Sequence, residues 1–428
     1  MDRRSFIKMS GLALGMFTLG GISVAGETLS FIKPSPGSPR VVVIGAGWSG
    51  LTIAKYIKKE DPKIDVVLID RRSHFFSCPV SNLWLVDIVP LEMLVHSFLK
   101  PADTFGYHFL QATVIDIDRD KRKVYTDKGI VNYDYLVIAP GIDYDYERWN
   151  IKDMEEVEIA RTKYPPAFIP GSEHLYLKRK IHNFSKGEFA VTVPPGLDYR
   201  CIPGPYERAT LIAWFFKKNR IKGKVILVDP HSEPPVKAKG FQYAWENFVK
   251  GYIEYFPNAD INYVDVINRK IKTEAYGDID FSDGNIYPPC KAAKIIYKIG
   301  GIKKGERWAN IDPLNYNLIG DERVFVSGDA RPQPFSKSGN TAATEAKYVA
   351  RRVVASIKDK DITYKSPTTL CYSAVDEDKA VWVRLTYKYE KGEFKFDKVK
   401  ADEKPSTKNF KAYMAWAKAH YRDMLAAD

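Results

Sequence analysis

Apolar and polar positions change rhythm several times along the chain. In RVVVIGAGWSGLTIAKYIKK (40–59) an apolar run meets three glycines and then passes to helical spacing, and a second apolar run, DVVLID, ends at Asp70. That succession predicts a β-α-β unit. The pattern returns in EFAVTVPP (188–195), YERATLIAWFFKK (206–218) and KVILVDP (224–230), which predict strand, helix and strand again. Two further runs, YDYLVIAPG (133–141) and VFVSGDA (324–330), read as strands closing on Gly141 and on Gly328-Asp329. From 380 to 400 the chain alternates on both sides of Lys391-Gly392, which predicts a β-hairpin. The last segment carries Phe410, Met414, Ala417, Tyr421 and Met424 at helical spacing, a stripe for core packing or, alternatively, for a membrane surface or partner. The fold class that follows is α/β: two Rossmann-like dinucleotide-binding domains, the first split by the second, plus a small C-terminal α+β domain. The expected division is 38–150 with 290–363, 151–289, and 364–428.

The first turn is Gly45-x-Gly47-x-x-Gly50, and Asp70 lies twenty residues beyond it. The first glycine permits the tight turn, the second lets a pyrophosphate approach, and the third lets helix and strand pack closely. The helix N-terminus offers amide donors to phosphate, and Asp70 would hold ribose hydroxyls. The stretches ending in Gly141 and Gly328-Asp329 resemble secondary motifs of the two-dinucleotide-binding flavoproteins. That resemblance implies FAD, with Asp329 on the ribityl chain. The turn of the second unit, PPGLDYRCIPGP, is different: prolines and a bulky tyrosine deny the close backbone approach a pyrophosphate needs. A nicotinamide nucleotide is not expected there, so a reductant must reach the flavin by another route.

Composition sharpens this picture in three places. The formal net charge of +12 comes from lysines spread along all 428 residues, without a dense basic run or nucleic-acid motif, so no nucleic acid partner is expected. The N-terminus, MDRRSFIKMSGLALGMFTLGGISVAGE, pairs Arg3 and Arg4 before a mildly apolar stretch and small residues at Ser23 and Ala25. It resembles a Tat export signal (residues 1–25) for folded, cofactor-loaded proteins bound for the periplasm; an uncleaved membrane anchor is the alternative. The four cysteines, Cys78, Cys201, Cys290 and Cys371, form no CxxC or CxxCH, so neither a metal site nor a haem is expected in this chain.

Cys201 stands at the turn of the second unit, at the strand ends where open α/β sheets place ligands. Cys371 lies far along the chain in TTLCYSA. A disulfide between them would be structural on one reading; on another, a thiol–disulfide pair would supply the missing electron donor. The stretches YRCIPGPYERA, FFSCPVSNLW, FSKSGNTA and TLCYS resemble the flavoprotein subunit of flavocytochrome c sulfide dehydrogenase and, more distantly, sulfide:quinone oxidoreductase. The resemblance runs from about Arg40 to the C-terminus. It implies that Cys78 carries FAD through a thioether, that Cys201 and Cys371 form a redox-active disulfide, and that Glu207 is an acid–base group beside them.

Each residue also has a plainer reading. Cys78 would serve as a small core residue, and Glu207 as a carboxylate favoured at a helix start. Lys337 would place a cation near the flavin's pyrimidine edge or be an ordinary surface lysine. Cys290 is read as a spare thiol at a helix start, where its pKa would fall. The functional expectation is an exported FAD-dependent sulfide dehydrogenase making sulfur or polysulfide and passing electrons to a c-type cytochrome subunit in a heterodimer. The alternatives are a sulfide:quinone oxidoreductase at the membrane surface and a flavoprotein thiol-exchange accessory of a sulfur-carrier system. The last helix, rich in Lys, His and Arg, favours a soluble acceptor over membrane contact.

Overall fold

The computed structural model describes residues 32, 36–332 and 334–427. The export signal expected over residues 1–25 lies outside them. A six-stranded sheet runs in the order Asn317–Leu318, Asp321–Val326, Tyr135–Ile138, Arg40–Ile44, Asp65–Asp70, His108–Gln111. All its neighbours pair in parallel except the Asn317–Leu318 edge. All five residues of Arg40–Ile44 are buried, as befits a central strand covered on both faces. The helix that follows it, Trp48–Glu60, packs against Gly339–Ile357. The sheet therefore draws its strands from two stretches of chain separated by a long segment.

That intervening segment builds a second parallel sheet, in the order Ile253–Phe256, Lys222–Val228, Lys186–Thr192, Asp283–Asn285. Helix Gly204–Lys218 is its first crossover, with every residue from Gly204 to Phe216 buried. A third, antiparallel sheet joins Thr368–Ala374, Ala380–Glu390 and Glu393–Ser406. Its hairpin turns at Lys391 (φ 53°) and Gly392 (φ 83°), two successive left-handed residues that match the strand twist.

The final helix, Thr407–Leu425, starts where Ser406 Oγ accepts the Asn409 N–H at 3.2 Å. Ala417, Tyr421 and Met424 are buried as the periodicity requires, Phe410 and Met414 only partly. Trp416 of this helix stacks on Trp48 with ring centroids 5.9 Å apart, bringing the C-terminal unit over the first nucleotide-type turn. Among the described residues no helix is long and apolar enough to cross a membrane.

Candidate active site

At the carboxyl ends of the first sheet lies a 420 Å³ cleft lined by Gly47, Asp70, Gly141, Arg200, Gly328 and Asp329. The three glycines have separate causes. Gly45 sits at φ 96°, and a Cβ there would come within 2.3 Å of the Ala139 carbonyl oxygen. A Cβ on Gly50 would lie 1.8 Å from the Gly45 oxygen, so this glycine sets how closely helix and strand approach. A Cβ on Gly47 would meet nothing within 4 Å, which leaves its backbone facing open cleft. Asp70 accepts the Ala46 N–H at 2.8 Å and the Arg72 N–H at 2.9 Å. Burial works to raise its pKa, but the Arg72 guanidinium and these hydrogen bonds outweigh it and hold the carboxyl below its usual value.

Across the cleft, Arg200 Nε lies 3.3 Å from Asp329 Oδ2, whereas Asp329 Oδ1 is buried with no hydrogen-bond partner. A buried orphan acceptor is costly unless a ligand hydroxyl meets it. Open backbone at Gly47, the acid at the second strand end and this orphan carboxylate oxygen together fit FAD.

A second cavity shares Arg200, Ser338 and Gly339 with the first, and it gathers Cys78, Cys201, Glu207, Arg208 and Cys371. Cys201 occupies a left-handed turn, φ 60°, a conformation that costs a non-glycine residue on the order of 1–2 kcal/mol. Surrounding bonds over-determine it: its N–H donates to the Lys337 carbonyl at 2.8 Å and its own carbonyl accepts from Gly204 N–H at 2.8 Å. Gly204 is small for a reason, since a Cβ there would lie 2.7 Å from the Phe168 ring and 3.2 Å from Cys201 Sγ.

Cys371 enters from strand Thr368–Ala374. All four cysteines are free thiols, and Cys201 and Cys371 line the same cavity. Interaction with Cys201 and with the Lys237 ammonium, 3.7 Å from Cys371 Sγ, holds the Cys371 thiol below its ordinary range despite burial. Its interaction with Cys371 and burial both push the Cys201 thiol up. The pair thus has one acidic and one reluctant sulfur.

Glu207 sits in the first turn of its helix, but only 5% exposed, so it is not a solvated helix-start charge. Its Oε1 accepts the Ala374 N–H at 2.8 Å and its Oε2 accepts Asn82 Nδ2–H at 3.1 Å. Burial pushes its pKa up to about 7, where a carboxyl can both give and take a proton near neutrality. Cys78 donates to the Phe168 carbonyl at 3.3 Å and lies 3.7 Å from His174 Nε2. Burial raises its thiol pKa and keeps His174 neutral.

Two residues differ from expectation. Cys290 does not open a helix: it lies in strand Cys290–Ala292, paired with Ile142–Tyr144, and the helix begins later, at Lys294. Burial therefore raises its thiol to about 11 instead of lowering it. Lys337 is fully buried, which removes the surface-lysine reading. Its ammonium donates to the Asp329 carbonyl at 2.9 Å and to that of Arg331, 3.6 Å from the Trp308 ring centre, and the residue lines neither cavity.

Sequence reasoning passed over Arg200 and Arg208, although both stand inside YRCIPGPYERA beside the residues it chose. It also missed Asn82 and His174, and it had no signal for Lys237. In the second unit, Asp229 follows strand Lys222–Val228 as Asp70 ends its own strand, yet it is fully buried. Its carboxylate already accepts from Tyr206 and Tyr255 hydroxyls, each at 2.7 Å, and lies 2.7 Å from His231 Nδ1.

Residues 174–288 match the family model described as sulfide dehydrogenase [flavocytochrome c] flavoprotein chain, central, and residues 39–163 match pyridine nucleotide-disulphide oxidoreductase. The mitochondrial sulfide:quinone oxidoreductase of Mus musculus is 22% identical over 334 residues, covering 75% of this chain and 72% of that one. These matches support the resemblance to sulfide dehydrogenase flavoprotein subunits and to sulfide:quinone oxidoreductases. They support a flavin-dependent oxidoreductase of the sulfide-oxidising kind, for which FAD is the implied cofactor. The type II NADH:quinone oxidoreductase of Staphylococcus saprophyticus is 30% identical, but over only 119 residues, 27% of this chain and 29% of that protein. Among solved structures, the sulfide:quinone oxidoreductase of Aquifex aeolicus superposes with a TM-score of 0.73 at 16% identity, covering 91% of this chain and 92% of that one. The likeness is one of fold.

Proposed function

We propose that this protein is an exported FAD-dependent sulfide dehydrogenase. It oxidises sulfide to sulfur or polysulfide through a redox-active Cys201–Cys371 pair and delivers electrons to a c-type cytochrome subunit. One observation carries the reading: two cysteines from distant parts of the chain line a single cavity that also holds Cys78 and Glu207. The twin arginines support export to the periplasm by the Tat route.

With the pair oxidised, hydrosulfide attacks one sulfur of the disulfide. The S–S bond breaks, one cysteine keeps the incoming sulfur as a persulfide, and the other leaves as a thiolate. A second hydrosulfide takes the sulfane sulfur away as disulfide, freeing the second cysteine thiolate. The two cysteine sulfurs then re-form their bond and release two electrons. When bound, FAD supplies a two-electron acceptor that can hand electrons on singly. Glu207 holds or gives the proton that accompanies each exchange. On this reading Cys78 would anchor the cofactor covalently, while Asp70, Gly47 and Asp329 would hold its ribose, pyrophosphate and ribityl groups.

Cys201→Ser tests the reading. The variant is expected to retain FAD and to lose bleaching of the flavin by sulfide, followed by anaerobic stopped-flow absorbance. Rapid bleaching in the variant refutes the disulfide route. A second reading, quinone as the acceptor, is favoured by the likeness to the mouse protein. Turnover with a soluble quinone and none with cytochrome c supports it.

A further inference from the structure

Lys237 has no place in the scheme above, yet it is only 3% exposed. Its hydrogen-bond partners are Ser373 Oγ at 2.6 Å, the Cys371 carbonyl at 3.4 Å and Cys371 Sγ at 3.7 Å, and none of them is a carboxylate. The Glu207 carboxyl acts on Lys237 electrostatically but holds its own proton up to about pH 7, so the buried ammonium gains from an anion at the sulfur. The backbone is held to the task as well. Lys237 lies at φ 62°, left-handed, while its carbonyl accepts N–H groups from Gly240 and Phe241, both at 3.1 Å, to begin helix Ala238–Asn247. A non-glycine residue keeps such a conformation only where its surroundings fix it. Two features of different origin thus converge on one sulfur: a strained helix start aims the side chain, and Ser373 in the Cys371 strand steadies its end.

We infer that Lys237 is a positioning residue that holds the Cys371 sulfur as the thiolate of the reduced pair, leaving Cys201 as the protonated partner. The inference rests on the reading that these two cysteines act as a redox pair, and it adds which one bears the charge. The other groups facing the pair agree with this polarity. Glu207, Cys78, Arg200, Arg208 and the Cys201 thiol line the first side of the cavity, and Tyr372 and Tyr413 face it from the Cys371 strand and the last helix. Lys237 is the cation hydrogen-bonded to a sulfur of the pair, and that sulfur is Cys371.

The test needs no sulfide, so it stays separate from whether the protein oxidises sulfide at all. The FAD-bound protein is reduced with a dithiol, freed of it anaerobically, and pulsed with iodoacetamide across pH 5 to 10, with peptide mass spectrometry following each cysteine. The expected result in the unsubstituted protein is a midpoint for Cys371 well below that for Cys201. Lys237→Met is expected to move the Cys371 midpoint up by about one to three pH units, and Lys237→Arg to leave it low. A purely structural lysine would not give a shift rescued by arginine. The inference fails if Lys237→Met retains flavin and an unshifted Cys371 midpoint. It also fails if, in the unsubstituted protein, Cys201 is the earlier of the two to react, a result available even should the methionine variant not fold.

Discussion

The Glu207 carboxyl ties the stability of this fold to pH. Its ordinary pKa of 4.5 rises to about 7 because burial beside Asn82 and the Ala374 amide removes the solvation of the charged form. Between those values the folded protein keeps a proton that the unfolded chain has released. The unfolded state then binds fewer protons, so stability falls as pH rises from about 4.5 to about 7 and is level above that. At about 1.4 kcal/mol per unit, the fall amounts to about 3 kcal/mol.

Glu207→Gln removes this dependence, since a neutral amide pays no charging cost in the same site. Its oxygen can still accept the Ala374 N–H, but its NH₂ would face Asn82 Nδ2, and that lost bond costs about 1 kcal/mol at every pH. The variant is therefore expected to be slightly less stable than the parent at pH 5, and to gain about 2–3 kcal/mol on it by pH 8. Paired urea melts of the FAD-bound proteins at half-unit pH steps, followed by circular dichroism, measure the difference directly and cancel the other titrating groups. A stability difference that stays flat within about 0.5 kcal/mol over that range would refute a buried, proton-holding Glu207. If the same proton serves exchange at the cysteines, the variant also loses the inflection near neutrality in the rate of flavin bleaching by sulfide.

Two further substitutions probe the cofactor end. Gly50→Ala puts a methyl within 1.8 Å of a backbone oxygen that cannot move without displacing the first turn, so the protein is expected to purify without flavin absorbance or not to fold; a fully yellow, stable variant contradicts the role given to this turn. For Cys78→Ala, yellow colour is expected to separate from the polypeptide on denaturing chromatography, whereas in the parent it travels with the chain; colour that separates in both shows that FAD is held without the thioether.

Much of the architecture was legible because buried parallel strands leave continuous apolar runs, and the glycine spacing between strand and helix has few uses other than a phosphate turn. The hairpin at Lys391-Gly392 was equally plain, since paired left-handed residues between alternating runs leave little choice. The cysteine pair was legible only through resemblance. Nothing local in TTLCYSA or YRCIPGP says that this strand and this turn meet at one cavity; that is a tertiary fact. Cys290 was misread because IYPPCKAAK carries a helix start shortly beyond the cysteine, and pairing with Ile142–Tyr144 draws the thiol into a strand first. Lys237 lies in PPVKAKG, which reads as a solvated loop. Only the antiparallel sheet folding over it turns that lysine inward.

The two Rossmann-like units explain each other. In the first, Asp70 ends its strand facing the cleft, steadied by Arg72, and Gly47 leaves its backbone open. In the second, the acid in the corresponding place, Asp229, is satisfied by Tyr206, Tyr255 and His231. Tyr206 comes from the same helix start that carries Glu207, next to the turn that holds Cys201. One short segment, YRCIPGPYERA, therefore does two things at once: its tyrosine fills the place a nucleotide ribose would take, and its cysteine occupies the strand-end crevice with a thiol. A nicotinamide nucleotide would have to displace Tyr206 from a buried carboxylate and straighten a left-handed cysteine before its pyrophosphate could approach. Each loss costs on the order of a kilocalorie or more. The second unit has kept the sheet and crossover of a nucleotide-binding domain while turning its ligand crevice over to sulfur.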